Sequence, residues 1–202
     1  LRTLDAVKAL AEGIGWYDDL EYGRALASFR RAAEEDTRSP LAMAWVSRTA
    51  VLMRRQDEAR EAADLAARLV NDQTPAGQRF FVNAVVAEAR EEVDVARRAY
   101  AEAAAMFPDD PSWILELAAL EERNALNAEA VVNYHNALAK RPTLVRPLLA
   151  LCRLYSPSRL NEPANAKTFG ERARDAYRGL RNAPGEAQAL LCLANKLRIG
   201  GA

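Results

Sequence analysis

The feature that most constrains this chain is a set of residues that returns at a fixed spacing. Ala96, Tyr100, Ala103 and Pro108 stand at offsets 0, 4, 7 and 12. In a helix of 3.6 residues per turn the first three share one face, small then aromatic then small, and the proline cannot continue the helix. The same offsets recur 34 residues later at Ala130, Tyr134, Ala137 and Pro142, and the first three occur at Ala25, Phe29 and Ala32, with Thr37 in the proline's place. Repetition of such a face predicts a stack of helical hairpins in which each second helix packs through two alanines and one ring.

Independent punctuation marks the hairpin boundaries. Ser39-Pro40, Thr74-Pro75 and Asp110-Pro111 each place a capping side chain before a proline at the first helical position, where a missing N–H costs nothing. These starts divide the chain into hairpins at about 6–39, 40–74, 75–110 and 111–142. The second hairpin carries Ala59, Ala63 and Ala66 at the three offsets, an alanine replacing the ring.

Beyond Pro142 the pattern loosens. Thr143 is expected to cap a helix to about Tyr155; a polar connection follows, then a helix from about Ala164 to Leu180 with Ala166, Gly170 and Ala173 near the offsets. That predicts a divergent fifth hairpin over 143–182. After Ala183-Pro184-Gly185, the stripe Ala187, Leu190, Leu191, Ala194 and Leu197 predicts a capping helix over 185–198 that covers the apolar end of the array. The expectation is one all-α array over 1–202 without strands, in keeping with abundant Ala, Leu, Glu and Arg and few β-branched residues.

Charge narrows the function classes. The 28 basic and 28 acidic side chains cancel, so the global attraction of a nucleic-acid binder is missing. Locally, Lys140 to Asn182 holds ten Lys and Arg against Glu162, Glu171 and Asp175. This is a solvated basic face, or a surface for acidic groups. No apolar run approaches the roughly 20 residues of a membrane span. Cys152 and Cys192 lie in apolar helical runs, which fits buried free thiols, with a disulfide as the alternative. Neither reading reports a compartment.

Catalytic chemistry has little to build on. His135 is the only histidine, and its position beside Tyr134 turns it toward solvent. It forms no i, i+4 ligand pair and no Cys-x-x-Cys spacing exists, so neither a metal site nor a cofactor is expected. Acidic pairs such as Asp18-Asp19 and Asp109-Asp110 fall at helix ends, where they suit capping.

Taken together, these residues resemble the tetratricopeptide repeat, a 34-residue helix–turn–helix unit with small and aromatic residues at set positions. Gly13, Trp16, Ala25, Phe29 and Ala32 match in the first unit, and Met43, Ser47, Ala59 and Ala66 in a poorer second. Phe80, Ala84, Ala96, Tyr100, Ala103 and Pro108 match in the third, and Ala118, Ala130, Tyr134, Ala137 and Pro142 in the fourth. The resemblance implies a right-handed superhelical solenoid whose first helices line a concave groove.

Carried over residue by residue, the resemblance assigns to that groove Ile14, Tyr17, Trp45, Arg48, Leu52, Phe81, Val85 and Glu88. Leu115, Glu116, Glu122, Arg123, Arg146 and Arg153 continue it. It implies a non-catalytic interaction scaffold that binds a peptide or protein segment, with Tyr17, Trp45 and Phe81 as an apolar floor. Arg48, Arg123, Arg146 and Arg153 would then face acidic groups of the partner. The plain alternative is that the aromatics only pack hairpins together. A carboxylate clamp of Lys and Asn, known in some members, has no counterpart, since Leu10, Ile14 and Trp45 occupy such places. The texture is also similar to repeat regions that follow kinase or winged-helix effector domains in bacterial signalling proteins, which implies a sensor or recruitment role. The second function class is a self-assembling structural protein whose groove or end is filled by another copy.

Overall fold

The computed structural model describes residues 1–197, and among them every regular element is a helix. The first hairpin is α1 (Leu4–Asp18) with α2 (Tyr22–Glu35), the second α3 (Pro40–Leu52) with α4 (Gln56–Leu69), and the third α5 (Ala76–Ala89) with α6 (Val93–Met106). The fourth is α7 (Pro111–Arg123) with α8 (Asn127–Lys140), followed by α9 (Arg146–Leu154), α10 (Pro163–Gly179) and α11 (Ala183–Leu197). The chain divides into two compact units, Leu1–Met106 and a second that begins at Phe107.

In the first unit each hairpin pairs its own helices, and α3 also packs on α2 and α5. In the second, α7 pairs with α8, α9 packs on α8 and α10, and α11 lies on α10 and α9. The repeated face is the buried one: Ala25, Phe29, Ala32, Ala59, Ala66, Ala96, Tyr100, Ala103, Ala130 and Ala137 are fully enclosed. Gly13 shows how close the helices come, because a Cβ built there would meet the Phe29 ring at 2.5 Å.

Helix starts follow local chemistry, with two corrections. Ser39 Oγ accepts the Ala42 N–H at 3.1 Å and Asp110 Oδ1 the Ser112 N–H at 3.0 Å, as their spacing predicts. Thr74 does not cap α5: its Oγ1 accepts the Asn71 N–H of the preceding turn at 3.0 Å, and α5 begins at Ala76. Nor does Thr143 open α9, which begins at Arg146 with Pro147 in its first turn. There the missing N–H of Pro147 is not needed, and Val145 takes the cap position.

Every turn inside a hairpin uses the same device. Leu20, Arg54, Glu91, Ala125 and Asn161 are left-handed, with φ between 55° and 65°, and each stands five residues before the buried Ala25, Ala59, Ala96, Ala130 or Ala166. In four of them the next N–H closes back five residues, as in Glu21 N–H to Trp16 O at 2.8 Å and Leu126 N–H to Glu121 O at 3.0 Å. This satisfies the last carbonyls of the first helix.

The cysteines are joined. Cys152 on α9 and Cys192 on α11 form a disulfide, with Cα atoms 6.5 Å apart, in place of the expected free thiols. The physical reason is that α11 folds back along α9 and α10, a long-range approach invisible in the apolar runs around each cysteine. Gly170 makes room for it, since a Cβ there would meet Cys152 Sγ at 2.9 Å and Leu193 Cδ2 at 2.7 Å.

The terminal helix also differs from expectation. It buries Gly185 and Ala189 against its neighbours and leaves Ala187, Leu190, Leu191 and Ala194, the stripe expected to seal the array, exposed. Of the expected span 185–198, Arg198 lies outside the described residues.

Candidate functional site

The residues assigned to a groove fall into two groups, one in each unit. In the first unit the first helices α1, α3 and α5 bring Tyr17, Trp45 and Phe81 together. Trp45 meets Tyr17 edge-on with centroids 5.1 Å apart and Phe81 at 4.8 Å, and stacks on Phe29 at 5.1 Å. Tyr17 and Phe81 are buried, whereas Trp45, Ile14 and Leu52 are half-buried at the edge of the core. The three rings therefore form a row in which Trp45 is the accessible member.

Arg48 does not project into a groove. It is fully buried, with Nη1 3.4 Å from Glu88 Oε2, while Glu88 Oε1 accepts the Tyr100 hydroxyl at 2.7 Å. Val85, between these rows, is buried as well. The physical reason is desolvation: a buried guanidinium and a buried carboxylate are stable only when each satisfies the other.

The second unit repeats the glutamate–tyrosine pair 34 residues on, with the arginine supplied by the following helix α9 where the first unit takes it from the preceding α3. Glu122 Oε2 accepts the Tyr134 hydroxyl at 2.9 Å, and Arg153 from α9 donates Nε to Oε1 at 2.9 Å and Nη2 to Oε2 at 3.0 Å. Burial pushes the Glu122 carboxyl up, but the charge and hydrogen bonds of Arg153, the Tyr134 hydroxyl and the charge of Arg159 outweigh it and hold the group below the usual carboxylate range. Burial and the adjacent Glu122 charge push Tyr134 well above an ordinary phenol. Arg146 donates to Glu116 at 3.2 Å beside buried Leu115, and Arg123 is exposed at the end of α7.

Arg48, Arg146 and Arg153 are thus engaged by acids of the chain itself; Arg48 is buried, which corrects its expected exposure to a partner, whereas Arg146 and Arg153 stay partly exposed. In each triad the tyrosine stands 12 residues after its glutamate. Sequence reasoning assigned the tyrosines to packing alone and missed their hydroxyl bonds. The signal that finds them is the Glu-x11-Tyr spacing at Glu88/Tyr100 and Glu122/Tyr134.

Other places offer less. His135 is exposed, with Nε2 3.1 Å from the Tyr155 hydroxyl and its ring edge-on to Phe169 at 5.4 Å. Among the described residues no three His, Cys, Asp or Glu side chains gather as metal ligands, and no helix is long and apolar enough to cross a membrane. A cleft of about 400 Å³ between α5 and α6, lined by Val86, Arg90, Val95, Arg98 and Glu102 among others, contains none of the expected groove residues.

No protein-family model matches the chain, and no curated protein matches it in sequence. Solved structures do. A thermophilic tetratricopeptide-repeat protein of Thermus thermophilus, TTC0263, superposes with a TM-score of 0.64 at 21% identity, over 95% of this chain and 98% of that one. The TPR2AB domain of yeast Sti1, in a complex with a pHSP90 partner, gives 0.54 at 12% identity over 95% and 98%. YrrB, described as a TPR protein with an unusual peptide-binding site, gives 0.51 at 18% identity over 92% and 90%. At these identities the likeness establishes the fold: an all-α helical repeat of the tetratricopeptide type.

Proposed function

We propose that this tetratricopeptide-repeat chain is a non-catalytic scaffold that holds a peptide or protein segment on the first-helix face of residues 1–106. The observation that carries the reading is Trp45, whose half-buried ring is fixed between Tyr17, Phe29 and Phe81. A large ring, rigidly held at a surface edge and flanked by Ile14 and Leu52, loses little freedom when a partner covers it, and such rings dominate binding energy. The neighbours whose descriptions mention a bound partner or a peptide-binding site support the class of function.

On this reading the partner is recognised chiefly by apolar side chains. The paired arginines Arg48, Arg146 and Arg153 contribute by keeping the first helices in register, since their charge is met by Glu88, Glu116 and Glu122. A recruitment or sensor role within a larger signalling protein would use the same face.

The test is selection of binding peptides from a random library against the whole chain, followed by affinity measurement on Trp45→Leu and on Leu52→Lys at the rim. Loss of about tenfold or more in both, with melting temperature and circular dichroism kept, supports the site. Equal affinity for both folded variants contradicts it.

A further inference from the structure

The carboxylates of Glu88 and Glu122 each accept a tyrosine hydroxyl, yet their cations are placed differently. Beside Glu88 stands Arg48, whose side chain is wholly enclosed. Beside Glu122 stand two guanidinium groups at the surface: Arg153 keeps 42% of its side chain exposed and Arg159 keeps 35%.

Arg159 arrives at a carboxylate that is already engaged. Oε1 accepts Arg153 Nε at 2.9 Å, and Oε2 accepts Arg153 Nη2 at 3.0 Å and the Tyr134 hydroxyl at 2.9 Å. Arg159 Nη1 stands 3.6 Å from Oε1, within ion-pair range but beyond a hydrogen bond. Its hydrogen bond goes to a neutral group, Asn127 Oδ1, at 3.4 Å. A guanidinium carries five N–H donors, so most of those on Arg159 remain open to solvent. Other cations of the basic stretch are matched one to one. Arg146 has Glu116, and Lys167, Arg174 and Arg178 have Glu171, Asp175 and Glu186 within 3.8 Å.

The backbone fixes where Arg159 stands. The turn between α9 and α10 is closed by the Arg159 and Asn161 N–H groups to Ser156 O and by the Glu162 N–H to Tyr155 O, each at 3.0 Å. Arg153 comes from the last turn of α9 just before it. Both guanidinium groups approach the same oxygen, Glu122 Oε1, so a single small anion can reach both. Planar guanidinium forks match carboxylate and phosphoryl oxygens, and a pair held in advance loses little freedom on binding.

We propose that Arg159, with Arg153 beside it, forms an oxyanion site in the second unit that takes a carboxylate or a phosphoryl group. The site does not rest on the Trp45 face, and its test is independent of that reading.

The test follows the arginine Nε–Hε signals of the whole chain by NMR while inorganic phosphate or succinate replaces chloride at constant ionic strength. The signals of Arg153 and Arg159 are expected to shift together and saturate. In Arg159→Gln the Arg153 shift should need at least about tenfold more anion, with the thermal melt unchanged, because the Arg159 contacts are long and exposed. Arg172→Gln removes the same charge from an exposed position on α10 and should bind as the parent. Tighter binding of phosphate assigns the site to phosphoryl groups, and tighter binding of succinate assigns it to carboxylates. Absence of saturation with either anion overturns the proposal, as does parental binding by Arg159→Gln. Equal weakening in Arg172→Gln also overturns it, because the effect would then be one of overall charge.

Discussion

Among single residues, the fold is set by space and by backbone conformation. Gly13 has no room for a Cβ, so Gly13→Ala must move the Phe29 ring or separate α1 from α2. A loss of about 1–3 kcal/mol is expected in chemical denaturation. The left-handed turn residues act in the other direction. Ala125 has φ 59° and is exposed, so Ala125→Gly removes a steric cost of about 1 kcal/mol and should raise the melting temperature. An unchanged or lowered melt would show that the turn is not strained. The alanines and rings of the repeated face were legible in the sequence because packing leaves a periodic trace. The turns were not, because none of the five carries a glycine to mark it.

Between elements, the buried triads couple a first helix to its own second helix and to a neighbouring hairpin. Tyr134→Phe removes one donor from a carboxylate that stays buried, and should cost about 1–3 kcal/mol, read by urea unfolding. Replacing Arg48 by Met should cost more, about 3–5 kcal/mol, because Glu88 then keeps a buried charge without the guanidinium that faces it. Glu122 gives the pH dependence. Its folded pKa lies below the ordinary value, so its stabilisation is present above about pH 4.3 and is lost as pH falls through the folded value. Glu122→Gln should therefore flatten the acid limb of a stability–pH curve, and an unaltered limb would contradict the assignment.

Packing between hairpins also hides part of the candidate site from a linear reading. Tyr17, Trp45 and Phe81 meet in one row because all three come from first helices stacked side by side, and that adjacency follows from repeat position. The same reasoning put Arg48 and Arg153 at a partner's disposal, because position along a helix does not reveal which acids other hairpins supply. Glu88 lies 40 residues from Arg48, and Glu122 lies 31 from Arg153. Such pairs emerge only when the hairpins are packed.

Across the molecule, the second unit is closed by a covalent bond and the first by packing alone. The Cys152–Cys192 link spans 40 residues, and loop entropy gives it a stabilisation of about 4 kcal/mol. Reduction should speed amide exchange in α9, α10 and α11 and leave α1 to α5 unaffected; acceleration confined to the first unit would contradict this. The scaffold reading meets its sharpest check in the hydrogen-exchange footprint of a selected peptide on the whole chain. Added protection is expected in α1, α3 and α5 around Trp45, with α2 and α4 unchanged. Protection confined to α2 and α4, with the first helices unaltered, would contradict a partner held on the Trp45 face.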